Sequence, residues 1–118
     1  MTETEAIELA RAYVALSNAH HTGLIVNRFS EDAVYCSTAV GEFHGRTAIG
    51  DMMRGFFTRY PDVFWSCDNF LYKANEVSFD FELRAQDAES GDRLQRGGVE
   101  RIVFGDTGLI KRLEVNAS

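Results

Sequence analysis

One carboxylate in this 118-residue chain is placed where it could move a proton. Glu100 shares its parity with Ile102 and Phe104 along an alternating run. If those two side chains face a core, the acid is turned into apolar surroundings, which disfavour its charged form and raise its pKa. The competing arrangement is a strand carboxylate neutralised by Arg96, which has the same parity, or by another basic side chain. Arg96 in turn could hold an anionic group of a ligand or serve only that neutralising role. Tyr13 recurs with the apolar residues of a helical stripe. Its hydroxyl either donates into a pocket or completes a core aromatic bonded to backbone. Tyr35 and Ser37 share one parity on an earlier strand and are either pocket wall or ordinary strand filler.

The remaining reactive residue types form no comparable set. His20 and His21 fall in a polar break between helices, where exposure to solvent is expected, and His44 precedes a glycine turn. No histidine pair has metal-ligand spacing and no cysteine or carboxylate completes a set, so neither a metal site nor a cofactor is expected. Cys36 and Cys67 are expected to be reduced, buried small hydrophobes, because two cysteines make no disulfide framework. Trp65, with parity opposite to Asp68, is expected in the core or at an interface. Nucleophile elbows, phosphate loops and dinucleotide fingerprints are absent.

The elements that must position these groups are legible from periodicity. Thr2 and Glu5 have capping-box spacing, and Ala6, Leu9, Ala10, Tyr13 and Leu16 follow at helical period to about Asn18. After the break, Leu24, Ile25, Arg28 and Phe29 suit a short second helix. A short strand over Ala33 to Ser37 returns through Gly41 to Gly45. Ile49, Met52, Met53, Phe56, Phe57 and Tyr60 make the widest stripe, a third helix stopped by Pro61. From Val63 onward the period falls to two, predicting strands over 63–73, 76–87, 93–104 and 109–116 joined by short turns. Helices first and strands later give an α+β fold, one domain over residues 1–118, with the helices on one face of a bent antiparallel sheet. Gly97-Gly98 is expected to mark a bulge that supplies the bend.

Composition limits the partners. Twelve Lys and Arg stand against 18 Asp and Glu, a net charge of −6, which repels nucleic acid and anionic membrane surfaces. Residues 1–8 carry three glutamates and no cation, unlike a secretory signal, and no stretch reaches transmembrane length, so the expected compartment is the cytoplasm. Apolar residues on both parities of 63–72 and of Val99 to Phe104 lead us to expect a homodimer through the outer face of the sheet.

The order of elements, with Phe29-Ser30-Glu31-Asp32-Ala33-Val34-Tyr35, Gly41-Glu42-Phe43-His44-Gly45-Arg46 and Asp106-Thr107-Gly108-Leu109-Ile110, resembles the nuclear-transport-factor-2-like (SnoaL-like) superfamily over nearly the whole chain. The resemblance implies a cone-shaped sheet wrapped on the helices around a pocket. That scaffold hosts isomerases, cyclases, dehydratases, epoxide hydrolases and binding domains. Laid along the ketosteroid isomerases of this superfamily, Tyr13 falls on the donor tyrosine, Glu100 on the protonated aspartate, and Ser37 where their aspartate base stands. A serine hydroxyl without a partner base cannot take up a proton near neutral pH, so that activity itself is not expected. The implied pocket is lined by Tyr35, Met53, Phe56, Phe79, Phe81, Leu83, Arg96 and Ile102, with Tyr13, Glu100 and Ser37 as its polar groups. The expected ligand is a small apolar or aromatic molecule bearing a carbonyl or hydroxyl. Isomerase, cyclase or dehydratase chemistry by proton transfer stands first, and a ligand-binding or dimerisation module without chemistry second. Hydrolysis of an epoxide or ester stands behind both, because no constellation that would activate a water can be picked out.

Overall fold

A computed structural model describes residues 1–118. The chain begins with helix α1 (Glu3–Asn18) and short helix α2 (Thr22–Val26), followed by strands β1 (Phe29–Ser37) and β2 (Gly41–His44). Helix α3 (Arg46–Arg59) precedes the long strands β3 (Phe64–Lys73), β4 (Glu76–Gln86), β5 (Arg93–Phe104) and β6 (Ile110–Ala117). No helix is long and apolar enough to cross a membrane. The expected capping box starts α1. The Glu5 N–H donates to the Thr2 hydroxyl (3.1 Å) and the Thr2 N–H to the Glu5 carboxylate (2.9 Å), satisfying two of the free donors at the helix start. Ala6 and Ala10 are fully buried; a stripe of methyl groups lets the helix approach the sheet closely and leaves Tyr13 as its one large buried side chain, with Ile7, Leu9, Val14 and Leu16 packed beside the core.

The six strands form one curved, unclosed sheet in the order β2-β1-β6-β5-β4-β3. Strands β3 to β6 are the expected antiparallel meander. Strand β1 pairs antiparallel with β2 but parallel with β6, so the sheet of this α+β fold is mixed rather than wholly antiparallel. The chain reaches that parallel position because α3 and four strands separate β1 from β6, far more than the crossover a parallel pair requires. Phe29, expected at the end of α2, is instead the first residue of β1: it pairs with Ile110 and is fully buried.

Two sheet irregularities depart from expectation. Gly97-Gly98 forms no bulge, and the β4–β5 ladder runs through both residues without a register shift. Gly98 is required for another reason: a Cβ there would overlap the Asn116 carbonyl and the Ala117 Cα on β6. A bulge does occur in β3 between Asp68 and Leu71, where Asn69 adopts φ 58°. It reverses the parity of the strand, so that Trp65 and Cys67 before it and Phe70 and Tyr72 after it all pack against the core. The apolar residues on both parities of this segment are therefore mostly one inner face interrupted by an extra residue. Phe64 and Leu71 remain on the outside, 53% and 59% exposed.

The close approach at Gly98 predicts that Gly98→Ala lowers unfolding free energy by about 1–3 kcal/mol, the cost of overpacking. Gly97→Ala, whose Cβ would meet only the Phe81 carbonyl at 3.5 Å, is tolerated. Urea unfolding of the two variants beside the wild type checks this, and equal midpoints would contradict it.

Candidate functional site

The concave face of the sheet and the inward sides of α1 and α3 enclose a cavity of about 50 Å³, room for a few waters or the core of one small ring. Tyr13, Val14 and Ser17 of α1 form one wall and Met52, Met53, Phe56 and Phe57 of α3 another. Tyr35 and Ser37 of β1, Val40, Trp65, Leu83, Arg96, Glu100 and Val115 complete it. Phe56, Phe57 and Trp65 pack on one another with ring centroids 6.0–6.3 Å apart. The mouth is therefore a partly exposed aromatic cluster.

Two polar contacts hold that cluster against the α1–α2 break. Asn18 clamps the start of β3, its amide donating to the Trp65 carbonyl (3.0 Å) and accepting from the Trp65 N–H (2.7 Å). His20, expected in solvent, is half-buried. Its ring stacks on Phe57 at 4.5 Å, and Nε2 lies 3.0 Å from the Val63 carbonyl, so that nitrogen carries the proton. A left-handed backbone at His20 (φ 59°) turns the ring inward.

Glu100 is the acid of the cavity, 6% exposed. No hydrogen bond and no cation offsets its loss of water, and burial alone pushes its carboxyl up to about 8 from the ordinary 4.5. No fully occluded polar side-chain atom in the chain lacks a partner, so the unpaired carboxyl oxygens of Glu100 reach the open cavity. The pairing with Arg96 that the sequence left open is not made: Arg96 forms no ion pair within the chain. Tyr13 is held well above its usual pKa by burial, then by the neighbouring Tyr35 and Glu100. Tyr35 is raised by burial and by Glu100, against the charge of Arg96. Tyr13, Tyr35 and Glu100 are thus coupled around one space, and both tyrosines keep their hydroxyl protons.

Ser37 also faces the cavity but is occupied structurally. Its Oγ accepts from the Ala39 and Val40 N–H groups, both at 3.2 Å, closing the turn after β1. Phe79, Phe81 and Ile102, expected on the wall, do not line it. They are 1%, 4% and 0% exposed and fill the sheet's inner face, where Phe79 stacks on Phe70 at 4.7 Å. They share the inward parity of the wall residues, but the concavity is filled at their positions, and alternation specifies the face without the depth. Val14, Ser17, Val40, Met52, Phe57, Trp65 and Val115 line the cavity without having been expected there. Phe57 and Met52 were visible on the third helix's stripe; Val115 carried no signal beyond its parity. The cysteines are free and half-buried rather than buried. Cys36 donates to the Glu42 carboxylate at 3.1 Å. Cys67 is raised to about 12 by burial and then by Glu100 and Asp68.

The SnoaL-like domain profile matches residues 10–113, while no curated protein sequence matches. Among solved structures the chain is similar to SalBIII, an epoxide hydrolase/cyclase-like enzyme with a role in pyran ring formation in the polyether salinomycin. The identity is 16% and the TM-score 0.88, covering 98% of this chain and 92% of that one. It is also similar to Rv0760c from Mycobacterium tuberculosis in complex with estradiol-17β-hemisuccinate (14% identity, TM-score 0.82, covering 93% and 91%). A third neighbour is an NTF2-like protein of unknown function from Exiguobacterium sp. 255-15 (17%, 0.82, covering 93% and 98%). At these identities the likeness establishes the fold.

The folded pKa of Glu100 lies above its ordinary value, so between about 4.5 and about 8 the unfolded chain has released a proton that the folded chain keeps. Stability falls as pH rises through that window and levels off above it. Glu100→Gln removes this slope, and the variant gains on the wild type by a few kcal/mol, within the roughly 1.4 kcal/mol per pKa unit that linkage allows. Denaturant midpoints of both proteins at pH 5 and pH 9 measure it; parallel curves would contradict a buried neutral acid at position 100.

Proposed function

We propose a function from the premise that this chain belongs to the SnoaL-like domain family: it binds a small, largely apolar molecule in the cavity and moves a proton on it, without a cofactor. The observation that carries this reading is Glu100, a buried carboxyl that faces open space with no partner of its own, its pKa pushed up by burial to about 8. An acid with such a pKa is poised to accept and return a proton near neutrality. In the step we propose, ionised Glu100 takes a proton from the carbon beside a carbonyl. The C–H electrons pass into an enolate, and its oxygen accepts hydrogen bonds from Tyr13 and Tyr35. Glu100 then returns the proton to the γ-carbon where a neighbouring double bond extends the enolate to a dienolate, or to a β-hydroxyl that leaves as water while the α,β double bond forms, which gives isomerase or dehydratase chemistry. Glu100 carries the proton in either case, because it is the one carboxyl in the lining and Ser37 cannot act as a base. SalBIII as an epoxide hydrolase/cyclase-like enzyme, and Rv0760c with its steroid ester, lend support for small-molecule work on this scaffold.

The second reading, a ligand-binding module without chemistry, draws on the Ser37 contacts: the hydroxyl at the base position is spent on a turn. Hydrogen–deuterium exchange of the α-protons of 2-tetralone, followed by NMR, separates the two. The first reading predicts accelerated exchange with wild type and a loss of about 10²-fold or more in Glu100→Gln. Exchange that survives in the variant removes Glu100 from the mechanism, and binding of the ketone without exchange favours the module. The outer-face homodimer belongs to the same proposal. Phe64, Leu71 and Val99 are the large apolar side chains exposed on that face. Sedimentation at micromolar concentration should give a dimer that Leu71→Glu dissociates; a wild-type monomer would contradict it.

A further inference from the structure

The cavity carries one charge that the proton-transfer reading leaves unused. Arg96 and Glu100 share the inner face of β5, four residues apart, which is roughly 13 Å along a strand. Arg96 is half-buried and Glu100 buried, so the cation stands nearer the solvent and the acid deeper. Arg54, Arg59, Arg101 and Arg112 all pair with carboxylates. Arg96 pairs with none, in a chain where acids outnumber bases 18 to 12, and it is the one cation in the lining. Its charge is felt by Tyr35 inside the cavity. A guanidinium presents a planar fork of donors that matches a carboxylate. The same lining includes Trp65, Phe56, Met53 and Leu83, flat or deformable apolar surfaces suited to a ring, with Leu83 beside Arg96 on β4 and Trp65 beside Leu83 on β3.

We propose that the ligand of this cavity is an amphiphilic aromatic or enone acid, whose carboxylate is held by Arg96 near the mouth and whose hydroxyl or carbonyl oxygen reaches Tyr13, Tyr35 and Glu100 at the far end. This assignment rests on the pocket reading above and narrows its substrate class. Arg96 sets specificity by charge and stays outside the proton transfer itself.

The test compares 3-(4-hydroxyphenyl)propanoate with its primary amide by isothermal titration at pH 6, where Glu100 is neutral and does not repel the acid. Wild type binds the acid about tenfold more tightly than the amide, the effect of one charge-assisted contact. In Arg96→Gln the two ligands bind alike, the amide staying within about twofold of its wild-type affinity, which also shows that the cavity is intact; Arg96→Lys recovers part of the preference. Equal binding of acid and amide to wild type, or a preference that survives Arg96→Gln, overturns this assignment and leaves the pocket reading standing. Failure of both ligands to bind wild type would overturn the pocket reading and this assignment together.

Discussion

Removing a carboxyl group from water without giving it a partner is costly, and the inner face of this sheet does so at Glu100. Burial raises its pKa to about 8 with no compensating contact. Such a group persists in a fold only where the surrounding structure over-determines its position. Here that structure is the middle of the sheet, where β5 is flanked on both sides at position 100, by Phe79 on β4 and by Val115 on β6. The backbone is thus held while the carboxyl looks into the cavity. A neutral acid beside two tyrosine hydroxyls gives an otherwise greasy hollow groups that can donate to an oxygen atom, the basis of the proposed function, and the unpaired Arg96 is the basis of the proposed ligand orientation.

The rest of the architecture keeps that space open on one side and filled on the other. Alanines on α1 bring the helix down onto the sheet, Phe79 and Ile102 pack the inner surface, and Gly98 lets the backbones of β5 and β6 approach closely. At the opposite end, α3 contributes Met52, Met53, Phe56 and Phe57. Long or flat side chains lining a cavity of about 50 Å³ can yield to ligands larger than the resting space through rotamer changes, for which the flexible methionines are best suited. Asn18 and His20 fasten the aromatic cluster to the end of α1. The α1–α2 break therefore holds the rim in place as well as connecting the helices.

Much of this was legible in the residues themselves. The capping box at Thr2, the stripe of the third helix and the limits of the last four strands follow from local chemistry and period, and the α+β fold from their order. The parity of Glu100 with Ile102 and Phe104 placed the acid inward, because on β5 alternation runs unbroken from Val99 to Phe104. What period could not supply was long-range geometry. A single left-handed residue, Asn69, inverted the pattern of β3 and made one inner face resemble two. The parallel pairing of β1 with β6 leaves no local trace. Nor does alternation distinguish Leu83, on the cavity wall, from Phe81, two residues away and sealed in the core. The turn bonds that occupy Ser37 likewise depend on backbone positions that residue type alone does not fix.

The account depends on the protonation state of one side chain. Carbon-13 NMR of the glutamate side-chain carboxyls, with the Glu100 resonance assigned by its loss in Glu100→Gln, reads that state directly across a pH titration. A midpoint near 8, well separated from the exposed glutamates, is the predicted result. A Glu100 resonance that titrates with the exposed glutamates near 4.5 would show a solvated or ion-paired carboxylate and contradict the account at its centre.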